Sequence, residues 1–208
     1  MTARPETTIE VFADIACPFT HVGLTRFVRH RDRAGRSDVR LKVRAWPLEL
    51  VNGAPLDPAA VAGKVADLRP LVDRRTFAGF DPQAFPASTL PALRLVASGY
   101  RQSSAVGERV SLHLRALLFD HGVDISQDPA LRAVADVFEL QVSAADADTV
   151  LIDLEEGQRR GVIGSPHFFT PEGDWFCPSL DIVHEADGRV AASFNTDRFE
   201  DFMATCLG

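Results

Sequence analysis

Thr8-Ile-Glu-Val-Phe-Ala-Asp14-Ile-Ala-Cys17-Pro18-Phe19-Thr20-His21-Val-Gly23 changes its hydrophobic period midway, and that change decides the fold. From Thr8 to Asp14 apolar and polar residues alternate, with β-branched and aromatic side chains, as in a strand. From Cys17 to His30 the pattern is helical. Pro18 stands where a first-turn proline is tolerated, because its missing N–H would have had no partner there. Val22, Phe27 and Val28 supply an apolar face, and Gly35 ends the segment. Val39, Leu41, Val43 and Ala45 then alternate with Arg40, Lys42 and Arg44, which gives a second strand. Strand, helix and strand within so short a stretch form a βαβ unit with a parallel strand pair and a right-handed crossover.

Outward from this unit the period changes. After a proline-rich stretch from Pro47 to Pro58, helical spacing dominates to about Arg160. Helices are expected at Leu90–Tyr100, Val106–His121, Pro129–Phe138 and Asp146–Arg160. Asp128-Pro129 and Ser143-Ala-Ala-Asp146 read as helix entries, and Gly122 and Gly161 as stops. Pro70, Pro82 and Pro86 argue against one long helix before Leu90. Strand character returns at His167-Phe-Phe-Thr170, followed by a Pro171-Glu-Gly-Asp174 turn, Trp175-Phe-Cys177 and a closing helix from Asp197 to Cys206. The expected architecture is α/β, a βαβ … ββα domain of residues 1–55 and 161–208 interrupted by an all-helical insertion of residues 56–160.

Composition narrows the function classes. The 208 residues can bury roughly 70% of the unfolded surface, so no staple is needed. A net charge of −7 with interspersed signs argues against nucleic-acid and anionic-membrane partners. Met1 to Thr8 is polar, and no stretch of about 20 apolar residues occurs, so the cytoplasm is the expected location. Three cysteines, Cys17, Cys177 and Cys206, form neither a disulfide framework nor a metal-ligand spacing, and no metal or tightly bound cofactor is expected. The glycines form no Gly-x-Gly-x-x-Gly or phosphate loop.

Two motifs carry chemistry. Cys17 lies between a strand end and a helix start, where the helix field and unpaired amides favour thiolate over thiol. A small buried apolar cysteine is the other reading of that position. Gly161-Val-Ile-Gly164-Ser165-Pro166-His167-Phe-Phe169 places a proline just before an aromatic strand. A strand-initiating proline can be purely structural. The functional reading is a cis-proline loop that offers the backbone of Ser165 to an extended substrate.

Together, the Cys-Pro-Phe-Thr motif after strand one and the Gly-x-x-Gly-Ser-Pro-His-Phe-Phe block resemble the DsbA-like family of thioredoxin-fold proteins. The resemblance extends over nearly the whole chain, including Gly122-Val-Asp-Ile-Ser126 and Trp175-Phe-Cys-Pro-Ser179. It is nearest to the cytosolic branch of FrnE-like oxidoreductases and 2-hydroxychromene-2-carboxylate isomerases. The resemblance implies a thioredoxin-like fold, Cys17 as attacking thiolate, and a cis Pro166 beside it, with Ser165 presenting backbone to a peptide or to glutathione as co-substrate. Thr20 departs from the pattern, since it stands where the second cysteine is usual. A dithiol enzyme uses that cysteine to release its mixed disulfide, so a monothiol enzyme is implied, acting on a small-thiol or protein thiol or disulfide partner.

Around this pair, Thr20 offers a hydroxyl to the sulfur of Cys17 or of glutathione, or is a plain helix residue. Phe19, His21 and His167 are candidate substrate contacts, with packing or solvation as the alternative for the histidines. Cys177 is a candidate distant resolving thiol. Cys206 reads as core, the Phe77, Phe80 and Phe85 cluster as core with a lid or wall over a substrate cleft as the alternative, and Asp14 as either a buried tuning carboxylate or a surface residue. Three functions follow: a monothiol thiol-disulfide oxidoreductase, a glutathione-dependent isomerase or transferase of hydroxychromene-carboxylate isomerase or kappa-class type, and a binding module with an inert Cys17. A homodimer remains open.

Overall fold

Ile9, Val11 and Ala13 turn to one side of the first strand and Phe12 to the other, and the sheet is built around that division. The computed structural model describes residues 4–184 and 190–208. Strand β1 (Thr7–Ala13) leads through Cys17 into helix α1 (Pro18–Arg33), and β2 (Val39–Ala45) returns parallel to β1 in the register Thr7↔Val39 to Ala13↔Ala45. Strand β3 (His167–Thr170) pairs antiparallel with the other edge of β1, and β4 (Gly173–Phe176) pairs with β3. The sheet order is therefore β2-β1-β3-β4. Closing helix α8 (Thr196–Leu207) brings Phe199, Phe202, Met203 and Cys206 against Phe27 of α1 and Phe168 of β3.

Between β2 and β3 the chain forms α2 (Leu48–Val51), α3 (Pro58–Leu68), α4 (Leu90–Gln102), α5 (Ser104–His121), α6 (Asp128–Val137) and α7 (Ala144–Arg159). Their ends follow the expected chemistry. Ser143 and Asp146 form a reciprocal capping box at α7, satisfying two otherwise unpaired N–H groups. Gly122 ends α5 at φ 65°, a left-handed geometry that glycine adopts without a Cβ penalty. Helix α3 was not anticipated, although Asp57-Pro58 repeats the signal recognised at Asp128-Pro129. The Asp57 carboxylate accepts from the amides of Ala59 and Ala60, and Pro58 occupies the first turn.

The helices close the exposed edge of the sheet. As an outer strand, β2 has outward N–H and C=O groups that would otherwise invite further pairing. Side chains take those groups. The amide of Leu41 donates to Glu108 Oε2 (2.7 Å), that of Val43 to the Tyr100 hydroxyl (2.8 Å), and that of Ala45 to Asp153 Oδ2 (3.0 Å). The Tyr100 hydroxyl in turn donates to the Leu41 carbonyl at 2.8 Å. Helices α4, α5 and α7 thus dock on β2 through polar side chains in addition to apolar contact. On α7, Gly157 permits the closest approach, because a Cβ there would lie 2.5 Å from the Trp46 ring.

Two further departures concern the returning strands. Strand β4 stops at Phe176, and Cys177 leaves it with φ 44°. A separate hairpin, β5 (Leu180–His184) and β6 (Val190–Phe194), then intervenes before α8. The Asp187-Gly188 pair, a hairpin signal in sequence, lies outside the described residues. Phe77 and Phe85 belong to the core and not to a lid. Phe77 and Phe80 pack on Phe119 with centroids at 5.5 and 5.7 Å, and Phe85 lies 6.3 Å from Phe80.

Candidate active site

Cys17 is the N-cap of α1, with φ −84° and ψ 114°, and its side chain caps no helical amide. The first amides of a helix lack intrahelical acceptors, so the sulfur sits at the positive end of the helix. It is 5% exposed, and its S–H donates to the backbone carbonyl of Ser165 at 3.0 Å. The Ser165–Pro166 bond is cis. Residues about 150 positions apart in sequence thus meet at one point.

A small hydroxyl network makes this meeting rigid. Ser165 Oγ accepts from the Asp14 amide at 2.9 Å and lies 2.7 Å from Thr20 Oγ1. Thr20 is therefore occupied in joining the proline loop to the base of α1. Either hydroxyl can donate in this pair, so the bond engages the Thr20 oxygen in the loop whichever of the two supplies the proton. Pro166 fixes the opposite side. Its carbonyl accepts from the Cys177 amide at 3.0 Å, and its Cγ would lie 3.6 Å from a Cβ on Gly23.

Cys177 is buried beside this loop, and its thiol is pushed up to about 12, by burial first and by the nearby Cys17 charge second. The three cysteines are free thiols. Burial alone pushes Cys206 up to about 12, which suits its core position.

Three proposed substrate contacts are held elsewhere by packing. Phe19 is a core residue. His21 points its Nε2 at Asp120 Oδ1 (2.9 Å) and stacks on Phe119, with Phe77 edge-on. Its neighbours are the helical block and not an open cleft. His167 is 2% exposed, with Nε2 2.8 Å from Asp174 Oδ2 while Nδ1 accepts from the Ile163 amide at 3.3 Å. His167 is tied at both ring nitrogens and His21 at Nε2.

Asp14 is a buried carboxylate, 1% exposed. It accepts from the amides of Ala16 (2.8 Å) and Leu48 (2.7 Å) and from the Thr89 hydroxyl (3.2 Å). Burial pushes its pKa up despite those bonds. Its own carbonyl accepts from Arg115 Nη2 at 3.0 Å. Arg115 gave no signal in sequence beyond a cation on an apolar helix, and its partner is 101 residues away.

An open cleft of about 290 Å³ runs along α1 from Val22, next to Gly23, past Arg26, Arg29 and Arg33. The Arg26 guanidinium lies 4.1 Å from the ring centres of both Phe194 and Phe199, and donates to the Ser179 carbonyl at 2.9 Å. Arg29 pairs with Asp73 at 2.6 Å. Among the described residues no cluster of His, Cys, Asp and Glu could hold a metal ion, and no helix is long and apolar enough to cross a membrane.

No protein-family model matches the chain, and no curated protein sequence matches it. Its fold is nevertheless that of a group of solved structures. It is similar to 2-hydroxychromene-2-carboxylate isomerase, with 14% identity, 82% of this chain and 88% of that one covered, and a TM-score of 0.59. It is also similar to the cytosolic disulfide reductase DsbM from Pseudomonas aeruginosa, with 14% identity, 95% and 96% covered, and a TM-score of 0.57. The same reductase with glutathione gives 12% identity over 95% and 96% of the chains and a TM-score of 0.56. The fold is that of the thioredoxin-like DsbA group, a mixed α/β sheet with helices between its halves.

Proposed function

Proceeding from that fold, we propose that the chain is a monothiol thiol-disulfide oxidoreductase in which Cys17 exchanges with glutathione. The observation that carries this reading is the Cys17 sulfur at the start of α1, 3.0 Å from the carbonyl that precedes cis-Pro166. In the resting thiol the S–H occupies that carbonyl. Once Cys17 ionises it no longer donates, and the Ser165 carbonyl becomes free to accept the amide of an incoming cysteine residue. Nucleophile and substrate-binding backbone are in this way released together.

The exchange balances without a second protein thiol. The Cys17 thiolate attacks the glutathione sulfur of a mixed disulfide, the Cys17–glutathione disulfide forms, and the other partner leaves as a thiolate. A second glutathione thiolate then attacks the glutathione sulfur, glutathione disulfide leaves, and Cys17 is regenerated as thiolate. Thr20 has no sulfur to resolve the intermediate. Cys177, at about 12, remains a thiol near neutral pH and is a poor attacking group. A small thiol from solution therefore suits the resolving step. The carboxylates of glutathione suit Arg26 and Arg33 in the cleft that begins at Val22, which also holds Glu200, whose charge acts on Arg26, and Asp73, already paired with Arg29. The cytosolic DsbM, one structure of which contains glutathione, supports a reducing compartment and this co-substrate.

One observation favours a second reading. Thr20 replaces the second thiol, and its hydroxyl is bound into the loop. A glutathione-dependent isomerase needs no resolving cysteine, and an isomerase is among the similar structures. Net oxidation of glutathione separates the two readings.

Intact mass after exposure to glutathione disulfide tests the proposal. One adduct in the wild type and in Cys177→Ser, and none in Cys17→Ser, is expected. A wild type that takes no adduct, or an adduct that survives Cys17→Ser, overturns it.

A further inference from the structure

Arg115 stands in the middle of α5 and is 1% exposed. Its Nη1 donates to the Ser111 carbonyl (3.1 Å) and Ser111 Oγ (2.7 Å), and its Nη2 to the Asp14 carbonyl (3.0 Å). Its Nε has no acceptor among the described residues. All of these acceptors are neutral. A buried guanidinium whose hydrogen bonds all go to neutral acceptors is costly, and nearby negative charge lowers that cost.

Two acids are available at the turn that Arg115 holds. The Asp14 carboxylate is hydrogen-bonded to the amides of Ala16 and Leu48 and the Thr89 hydroxyl, and acts on Arg115 through its charge alone. Cys17, three residues on, ends the same turn. The remaining titratable groups are placed differently. Cys177 lies beyond the proline loop, Tyr100 on α4 bonds β2, and His21 on α1 is turned to Asp120. We propose that Arg115 is a positioning residue for Cys17, anchoring the Asp14–Cys17 turn through the Asp14 carbonyl and supplying the buried positive charge against which the Cys17 thiolate forms. The proposal rests on the thiolate reading above.

The electrostatics agree with this placement. Burial pulls Arg115 down to about 10, while the charges of Asp14 and then Cys17 push it back up. Loss of the Cys17 proton costs the bond to the Ser165 carbonyl, and the Arg115 charge offsets that loss.

The test is the pH profile of Cys17 alkylation by iodoacetamide, which needs no glutathione and so fails independently of the oxidoreductase reading. In Arg115→Met the midpoint should rise by about one pH unit, a roughly tenfold slower reaction below it, and Arg115→Lys should recover most of the shift. A cooperatively folded Arg115→Met with the wild-type midpoint overturns the proposal. Should Arg115→Met not fold, the wild type itself decides. The Arg115 Hε–Nε resonance should move with the alkylation midpoint and stay fixed in Cys17→Ser, and a resonance that ignores that midpoint overturns the assignment.

Discussion

Two arginines are buried against the same stripe of α5, and their surroundings differ in one respect. Glu108, Ser111 and Arg115 follow one another at helical spacing on that stripe. At its first end Arg31 of α1 meets Glu108, with Nη1 2.8 and 2.9 Å from the two carboxylate oxygens and also donating to the Val39 carbonyl. At the other end Arg115 meets only carbonyls and a hydroxyl. The arginines respond in opposite directions. Burial works against Arg31, but the Glu108 hydrogen bonds and charge outweigh it and hold the group above its ordinary value. Arg115, on which the Asp14 charge acts without a hydrogen bond to the carboxylate, falls to about 10. A buried cation hydrogen-bonded to its own carboxylate is a fastener, and one that feels a carboxylate through charge alone can also serve a thiolate.

The fastener can be broken outright. Glu108→Ala leaves the buried Arg31 with only the exposed Asp32 carboxylate, and also strips the Leu41 amide of its acceptor. It should cost about 3–5 kcal/mol in urea unfolding. A loss below about 1 kcal/mol would mean that Arg31 escapes to solvent, and the contrast with Arg115 would lose its basis.

A smaller effect is expected where β2 meets a neutral partner. Tyr100→Phe deletes the hydroxyl that accepts from Val43 and donates to Leu41, leaving both backbone groups without their side-chain partner. The expected loss is about 1–3 kcal/mol, with the pH profile of Cys17 alkylation unchanged. If that profile moves, edge and site are coupled and the two ends of the stripe are not separate devices.

Smaller still is Thr20→Val, near-isosteric and deprived only of the bond to Ser165 Oγ. About 1 kcal/mol of stability is expected to go. If Thr20 only docks the loop, Cys17 alkylation keeps its midpoint. A raised midpoint would instead return Thr20 to the sulfur.

These three residues also show what the sequence could carry. The local features were legible, because alternation, the Cys17-Pro18 entry, the Ser143–Asp146 box and the Gly122 stop are each decided within a few residues. The meeting of Cys17 with Pro166 was legible only through two separated motifs taken together. The partners of Thr20, His21 and Arg115 were not, since they lie 145, 99 and 101 residues away and are chosen by packing. The histidines stood between substrate contact and packing for the same reason, since the carboxylates of Asp120 and Asp174 that hold their rings are not signalled by the residues around them.

Asp14 gives the finest probe of the unpaired end. Burial raises its pKa, against the opposing pull of the Ala16 and Leu48 amides, the Arg115 charge and the Thr89 hydroxyl. Between its ordinary value and the raised one, the folded state binds more protons than the unfolded state. Unfolding free energy then falls as pH rises through that window, and above it the penalty is complete. Asp14→Asn has no such titration. It sacrifices a hydrogen bond at every pH but is spared a penalty that only the carboxylate incurs. The melting temperature of Asp14→Asn relative to wild type should therefore improve as pH rises above the ordinary carboxylate value. A difference that stays flat would place the carboxylate at its ordinary value, with Arg115 already serving as its partner. The Cys17 thiolate would then have to find its stabilisation in the α1 amides alone.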